Sequence, residues 1–383
     1  MSLTVKEIKE LPVAESFQLI AGASGLHQPI EHVNLLDFEY DNYVPDAKSS
    51  DGIFDSKSIV VTSLLYAKGN PEKILPVVKQ LYIDGVSALA VKAVYYQELP
   101  SNVLNFANEK GFPIFLFGSE ANFAENVVVG LTLAIEEYNN VSILEEKLTF
   151  LLQDNLTSYN RISVMDELFP DLELPFQCIY YMPKKIGSTL SFHRLIHSFR
   201  NLKEQKMNVL PYQFGLLITL SAQRLPTLQK VHNVLGLSPA DYYCGVSKRS
   251  DKKDDLVHKI KESFYSSTYG QIHNKNISYF DEIGIWKIIL PNRNNYWMQV
   301  YCSDIVNKLK GYDLDGSCEL YNTITCYVKN AFDINQTATL MHVHKNTIRY
   351  RINKAKELLS AEGNIGEFHQ IILLSVYFQE ALI

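Results

Sequence analysis

The chain is expected to be multidomain, of mixed α/β and α+β architecture, with an all-α C-terminal helix-turn-helix domain. Three observations support this. In the first third, short β-branched runs alternate with stretches of helical periodicity. The middle mixes strand-like and helical runs again, and from about Cys318 onward only helical periodicity remains. A length of 383 residues suggests two to four domains at roughly 100–200 residues each. The segments divide as 1–122 (α/β), 123–160 (a helical linker), 161–312 (α+β) and 313–383 (helix-turn-helix).

The first segment carries strand-like runs at Val33–Leu36, Ser58–Ser63, Val86–Val91 and Pro113–Phe117. Helical patterns lie between them at Pro71–Ile83 and Leu99–Glu109, followed by Gly85 and Gly111 where helix-ending glycines belong. Such alternation predicts right-handed βαβ units and a mostly parallel sheet. A long helical pattern then runs from about Ala124 to Leu156. Val127, Leu131, Ala134, Tyr138, Val141, Leu144, Leu148 and Leu151 or Leu152 follow one another at steps of three or four. This stripe fits a dimerising coiled coil and an amphipathic helix packed on its own sheet equally well.

In the middle, Gln177–Tyr181, Gly215–Leu220 and Tyr242–Val246 are strand-like, while Phe192–Glu204, Leu256–Tyr269 and Trp297–Leu309 are helical. Ser247 to Asp255 is charged and expected on the surface. Near the end, Leu320–Val328 is helical, and Phe368–Leu382 is apolar nearly all round, so it belongs in a core or an interface.

Composition narrows the class. With 46% hydrophobic and 20% charged residues the chain is an ordinary globular one. Its net charge of −6 gives no global attraction to nucleic acid, so any such site must be a local basic patch. Five cysteines without a C-x-x-C pair argue against a zinc ribbon or a disulfide framework. The absence of a signal-like N-terminus or a run of about 20 apolar residues predicts a cytoplasmic chain without membrane spans.

The segment Asp333 to Lys356 departs from that background. Asp333 is placed to cap a helix, with Gln336 at the third helical position as in a capping box. Ala338 permits a close helix crossing, Met341 to Val343 forms a tight connection, and His344 or Lys345 opens a second helix. Ile348, Ile352, Ala355 and Leu359 form that helix's narrow apolar stripe, so Asn346, Arg349, Tyr350 and Asn353 point away from it. From Ile334 to Lys356 there is no Asp or Glu, against five basic residues: Lys345, Arg349, Arg351, Lys354 and Lys356. A solvated face normally mixes both signs, so an acid-free stretch points to phosphate contact. The expected DNA contacts are Gln336, Thr337, His344, Lys345, Asn346, Thr347, Arg349, Tyr350, Arg351, Asn353 and Lys354.

This segment resembles the C-terminal helix-turn-helix of PucR/CdaR-type regulators. The likeness rests on Thr337-Ala338, Leu340 and the run His344 to Ile352, with Asn346-Thr347-x-x-Tyr350-Arg351 as its core. Residues 3 to about 120 resemble the PucR-type N-terminal domain, through Ala21-Gly22, Gly25-Leu26, Ile59–Thr62, Leu81 to Gly85, Ala107 and Phe112-Pro113. The middle is similar to that family's degenerate GGDEF-like domain at Gly245-Val246-Ser247. The resemblance implies an effector-responsive transcription regulator that binds double-stranded DNA and answers to a small metabolite of purine, nitrogen or sugar-acid catabolism; because one helix-turn-helix offers few contacts, a homodimer or higher homo-oligomer is expected.

Parallel sheets bind ligands at the C-terminal ends of their strands, which makes Thr62, Ser63 and Lys92 the candidate effector contacts. A competing reading is a nucleotide-binding or nucleotide-processing signalling protein built on the middle domain. Leu220 to Leu225 lacks the glycine-rich turn and paired carboxylates that metal and phosphate would require. No catalytic residue, cofactor or metal is expected. His342-x-His344, placed in the turn, reads as capping or phosphate contact, and His193 with His197 as a histidine pair lacking a third ligand.

Overall fold

The computed structural model describes residues 3–36, 54–118, 124–185, 207–221, 226–313 and 319–382. They fall into two compact units, residues 1–171 with 185–216, and 172–184 with 217–383.

The first unit opens with β1 (Leu3–Thr4) and α1 (Val5–Ile8), followed by β2 (Gln18–Ala21), β3 (Pro29–Ile30), β4 (His32–Leu35) and β5 (Ser58–Thr62). Then come α2 (Ile74–Ile83), β6 (Ala88–Lys92), α3 (Ser101–Lys110) and β7 (Ile114–Phe117). The sheet runs β2-β7-β6-β5-β4, with β4 to β7 mutually parallel and β2 antiparallel at the edge. The expected parallel sheet is present. The short β2 escaped the sequence reading because its residues are mostly exposed or half-buried and carry no clean alternation.

Both faces of this sheet are covered, which explains why its strands read as continuous apolar runs. Val60, Leu89, Val91 and Ile114 pack under α2 and α3. Ile59, Val61, Ala88, Ala90, Phe115 and Phe117 face the other way, toward Phe17 and α4 (Ala124–Leu151). The resemblance motifs meet in space. A Cβ on Gly22 would lie 2.0 Å from the Phe112 carbonyl oxygen, and one on Gly25 would lie 1.9 Å from that of Gly111. The two glycines are there because another backbone passes where a side chain would stand.

Helix α4 ends at Leu151, not near Leu156. Thr157 caps a separate helix, α5 (Ser158–Leu168), which the periodicity had not revealed. The inward stripe of α4 inserts Val127, Leu131 and Tyr138 into the sheet core, so this stripe packs on its own sheet and is not a coiled-coil seam. Further along, Glu145 accepts a hydrogen bond from the Gln213 amide at 2.7 Å, in the turn after β9 (Met207–Tyr212). By length and composition alone α4 passes for a membrane span, with mean hydropathy 1.2 over its most apolar window. Val127, Leu131, Ile135 and Tyr138 of this helix enter the core just described, and 28% of that window is buried.

In the second unit the strands lie in the order β12 (Ile277–Tyr279), β11 (Tyr242–Val246), β8 (Phe176–Pro183), β10 (Gly215–Ser221). Between them run α6 (Leu228–Leu235) and α7 (Leu256–Ile272). Residues Ser247 to Asp255 are not a simple surface loop: Ser247 and Ser250 are buried, and Ser250 bridges to Phe176. The helix expected at 192–204, with His193 and His197, lies outside the described residues, as do 222–225 and Cys318.

Short helix α8 (Trp286–Ile289) leads to α9 (Tyr296–Asp313), α10 (Leu320–Lys329), α11 (Ile334–Leu340), α12 (Lys345–Leu358) and α13 (Ile365–Ala381). The terminal α13 is buried within its own chain. Phe368, Ile372 and Val376 enter one hydrophobic cluster with α9 to α12, while Phe378 and Ala381 enter another with Trp286, Ile289 and Cys302. Most of its apolar side chains thus enter these two clusters, while Ile365 and Leu382 at its ends stay exposed.

Gly245 marks the tightest contact of the second unit. A Cβ there would fall 2.0 Å from the Ser263 carbonyl oxygen and 2.2 Å from the Ser267 amide, both on the backbone of α7. Gly245→Ala should therefore separate α7 from β11 and cost at least about 3 kcal/mol, at or beyond the upper end of ordinary overpacking. Gly363→Ala, which meets nothing within 4 Å, should stay within about 0.5 kcal/mol. Chemical denaturation of both variants checks the contrast, and equal stabilities would refute it.

Candidate DNA interface

Helices α9 to α13 share the C-terminal core among the described residues, and their apolar residues decide what remains outside. Helix α11 starts at Asp333, whose carboxylate accepts from the Asn335 and Gln336 amides at 2.7 and 2.9 Å. The expected capping box is only half formed. The Asp333 amide is engaged by the Asn330 carbonyl at 3.0 Å, so it does not need the Gln336 side chain.

The turn to α12 is a Schellman motif. The Val343 amide reaches the Ala338 carbonyl at 3.1 Å, and that of His342 reaches Thr339 at 3.3 Å. His342 takes the left-handed position at φ 54°, where glycine is the usual choice. His344 then caps α12, its Nδ1 accepting from the Asn346 amide at 3.2 Å. The two neighbouring ends repeat the device: Ala331 and Phe332 after α10, and Ser360 after α12, all have positive φ.

Ile348, Ile352 and Ala355 of α12 are buried against Ala338, Ile324 and Phe368. That stripe turns Lys345, Asn346, Arg349, Tyr350 and Asn353 outward, and all five are exposed together with His344 and Gln336. Tyr350 is 61% exposed, a large aromatic held in solvent. Thr347 is half-buried at the edge of the face. Lys354 is also half-buried, reaching Glu357 at 2.8 Å and lying 5.5 Å above the Tyr312 ring.

Two expected contacts face the core instead. Thr337 is fully buried and donates its hydroxyl to the Asp333 carbonyl at 2.6 Å. It belongs with Ala338 to the inward side of α11, one step of about 100° round from Gln336. Arg351 is also turned inward, its side chain only 13% exposed. Its Nη1 donates to Thr323 Oγ1 at 3.1 Å and lies 3.7 Å from Glu319 Oε2. Thr323 in turn donates to the Glu319 carbonyl at 2.6 Å. Arg351 thus ties α12 to the start of α10.

Exposed residues absent from the expected contact set are Asn335, Thr339 and Leu340. Thr339 and Leu340 follow Gln336 at steps of three and four, so the period of α11 would have found them. Behind the bundle, the His369 ring stacks on Phe332 at 4.1 Å and meets the Tyr327 hydroxyl at 3.2 Å. Burial, and then the charge of Lys356, push the His369 pKa down and favour its neutral form.

At the effector candidates, strand pairing sets Thr62 beside Val91, one residue from Lys92. Thr62 is fully buried and its Oγ1 accepts from the Leu64 amide at 2.9 Å, so it shapes the turn and is closed to solvent. Ser63 and Lys92 are half-buried at the same end of the sheet. Cys178, Cys244, Cys302 and Cys326 are free thiols.

The inward placement of Arg351 separates it from its neighbour Arg349. Arg351→Ala should destabilise the chain by about 1.5–3 kcal/mol, the range for a hydrogen bond made by a charged group. Arg349→Ala, at an exposed position, should stay within about 0.5 kcal/mol. Thermal unfolding of the two variants tests this, and equal melting temperatures would place Arg351 on the surface.

Comparison with known proteins agrees with the site's geometry. Residues 7–128 match the Purine catabolism regulatory protein-like family, and residues 320–376 match the PucR C-terminal helix-turn-helix domain. The chain is similar to three proteins of Bacillus subtilis (strain 168). One is a Purine catabolism regulatory protein, 24% identical over 29% of this chain and 20% of that one. Another is DNA-binding transcriptional activator AdeR, 23% identical over 43% of this chain and 38% of that one. The third is Uncharacterized protein YsfB, 37% identical over 16% of each. The matches span less than half the length of these relatives. A Regulator of Polyketide Synthase Expression from Bifidobacterium adolescentis aligns with 64% of this chain and 96% of its own, at 18% identity and a TM-score of 0.30. This chain thus carries a PucR-type domain at residues 7–128 and a PucR-type helix-turn-helix at residues 320–376.

Proposed function

We propose that the chain is a cytoplasmic transcription regulator, not an enzyme, and that it binds operator DNA through α11 and α12 as a homodimer. The observation behind this is the outward face of α12: Lys345, Asn346, Arg349, Tyr350 and Asn353, in a stretch without a single carboxylate. A helix held by a narrow inward stripe, with amide, guanidinium and phenol groups outside, suits a major groove: Asn and Arg read base edges and the cations neutralise phosphates. One such helix makes few contacts, so two copies on two half-sites supply the missing affinity. Gln336 and His344 at the rim, with Thr347 and Lys354 at the flank, complete the contact set.

In this reading residues 1–122 are the sensor, 123–160 the linker, 161–312 a degenerate GGDEF-like domain and 313–383 the DNA-binding domain. The effector is a small metabolite of purine, nitrogen or sugar-acid catabolism, by analogy with the relative named for purine catabolism. Ser63 and Lys92, at the strand ends, are its candidate contacts.

The salt dependence of binding tests the DNA face. On a fragment selected from genomic DNA, Arg349→Ala should weaken binding and lower the slope of log affinity against log salt by roughly one, the signature of a lost phosphate contact. Unchanged affinity and slope would reject the assignment. A thermal-shift screen of purines, their breakdown products and sugar acids tests sensing. A hit should also change DNA affinity, because a regulating ligand must favour one state over another. Hits whose stabilisation survives Lys92→Ala and Ser63→Ala together would move the effector site elsewhere.

A further inference from the structure

Helix α4 carries a second heptad-spaced stripe on its outward side. Val129, Leu133, Glu136, Asn140, Ile143, Lys147 and Phe150 follow one another at steps of four, three, four, three, four and three. At 100° per residue they fall in an arc of about 100°, drifting by about 20° per heptad as such stripes do. Val129, Leu133, Ile143 and Phe150 are 57, 59, 47 and 40% exposed, while the opposite stripe is committed to the sheet core. Glu136 and Asn140 are exposed; Lys147 is half-buried and reaches Glu167 of α5.

We infer that this outward stripe is the surface through which two copies of the chain pair, with their α4 helices antiparallel and Glu136 of each copy opposite Lys147 of the other. Charge decides the direction. A parallel pair would set Glu136 against Glu136 and Lys147 against Lys147, both repulsive. Reversing one helix allows a register in which every pair of facing positions sums to the same number. Leu133 then meets Phe150, Asn140 meets Ile143, and Glu136 meets Lys147, each twice by the two-fold symmetry. Heptad positions alternate correctly in this register, each core position facing its counterpart of the other type. The contact runs along about 27 Å of helix, from Leu133 to Phe150. Lys147 keeps Glu167 as its partner within the chain and gains a second carboxylate across the interface.

The inference rests on the reading of the chain as a dimeric DNA-binding protein, but its test needs no DNA. The full chain and its variants are examined by sedimentation equilibrium at micromolar concentration, with far-UV circular dichroism to confirm folding. The wild type should be a dimer, and Leu133→Glu should shift it toward monomer. Glu136→Lys should weaken association about tenfold or more, because like charges then face each other twice. Lys147→Glu should do the same, and Glu136→Lys with Lys147→Glu together should restore association to within about threefold of the wild type. If Lys147→Glu disturbs the fold through Glu167, the Glu136→Lys variant and the double variant still decide. A monomeric wild type, a dimer indifferent to Leu133→Glu, or single swaps that the double swap fails to rescue would overturn the proposal. So would a monomer that floats with phosphatidylglycerol vesicles and loses this with Leu133→Glu, which would assign the stripe to a lipid surface. A dimer that behaves as expected but ignores DNA would instead overturn the functional reading.

Discussion

The C-terminal bundle depends on the burial of α13. Its sequence is apolar on nearly every side, and two hydrophobic clusters share it. Phe368, Ile372 and Val376 fill the space among α9, α10 and α12. Phe378 and Ala381 close over Trp286, Ile289 and Leu290, and Tyr377 stacks on Trp286 at 5.2 Å. Each buried phenylalanine contributes about 1.5–3 kcal/mol relative to an exposed one. Ile348, Ile352 and Ala355 face a wall built chiefly by α10 and α11 of the same cluster, and the opposite side of α12 is left to solvent. The outward presentation of Asn346, Arg349 and Tyr350 follows from that wall.

The same constraint explains where sequence reading of the candidate site succeeded and where it failed. A stripe of apolar residues at helical spacing is visible in the sequence, and it located α12 and its outer face, with the start at His344 or Lys345. Charge type was a poorer guide. Arg351 counted toward the acid-free basic stretch, yet Ile348, Ile352 and Ala355 carry it toward α10, where Thr323 and Glu319 receive its guanidinium. Its role there is to orient the helix that Arg349 exposes. Thr337 misled in the same way, since hydroxyl chemistry alone does not separate a DNA contact from a buried bond to the Asp333 carbonyl. The helix ends were obscured for a different reason. Glycine signals the ends of α2 and α3, at Gly85 and Gly111, but the turns after α10, α11 and α12 place Ala331, His342 and Ser360 at positive φ. Such residues raise the conformational cost of the turn, which the two hydrogen bonds of each Schellman motif offset.

In the first unit the parallel strands were legible because both faces of the sheet are covered and the runs are apolar throughout. The edge strand β2 and helix α5 were not, since neither has a strong stripe. For α4 the ambiguity was physical. The helix bears heptad spacing on two sides, one satisfied by Phe115, Phe117 and their neighbours, the other open to solvent. Only tertiary structure shows which is which.

The central claim is that the α13-supported bundle presents the face of α12 containing Asn346 and Arg349 to DNA and keeps Arg351 behind it. Photo-crosslinking tests this most directly. A photoreactive side chain is placed singly at position 346, 349 or 323 of the full chain, which is then bound to a selected genomic fragment. The account predicts crosslinks to DNA from 346 and 349 and none from the buried Thr323 position. Crosslinking from 323, or silence from both 346 and 349 while the fragment stays bound, would contradict it.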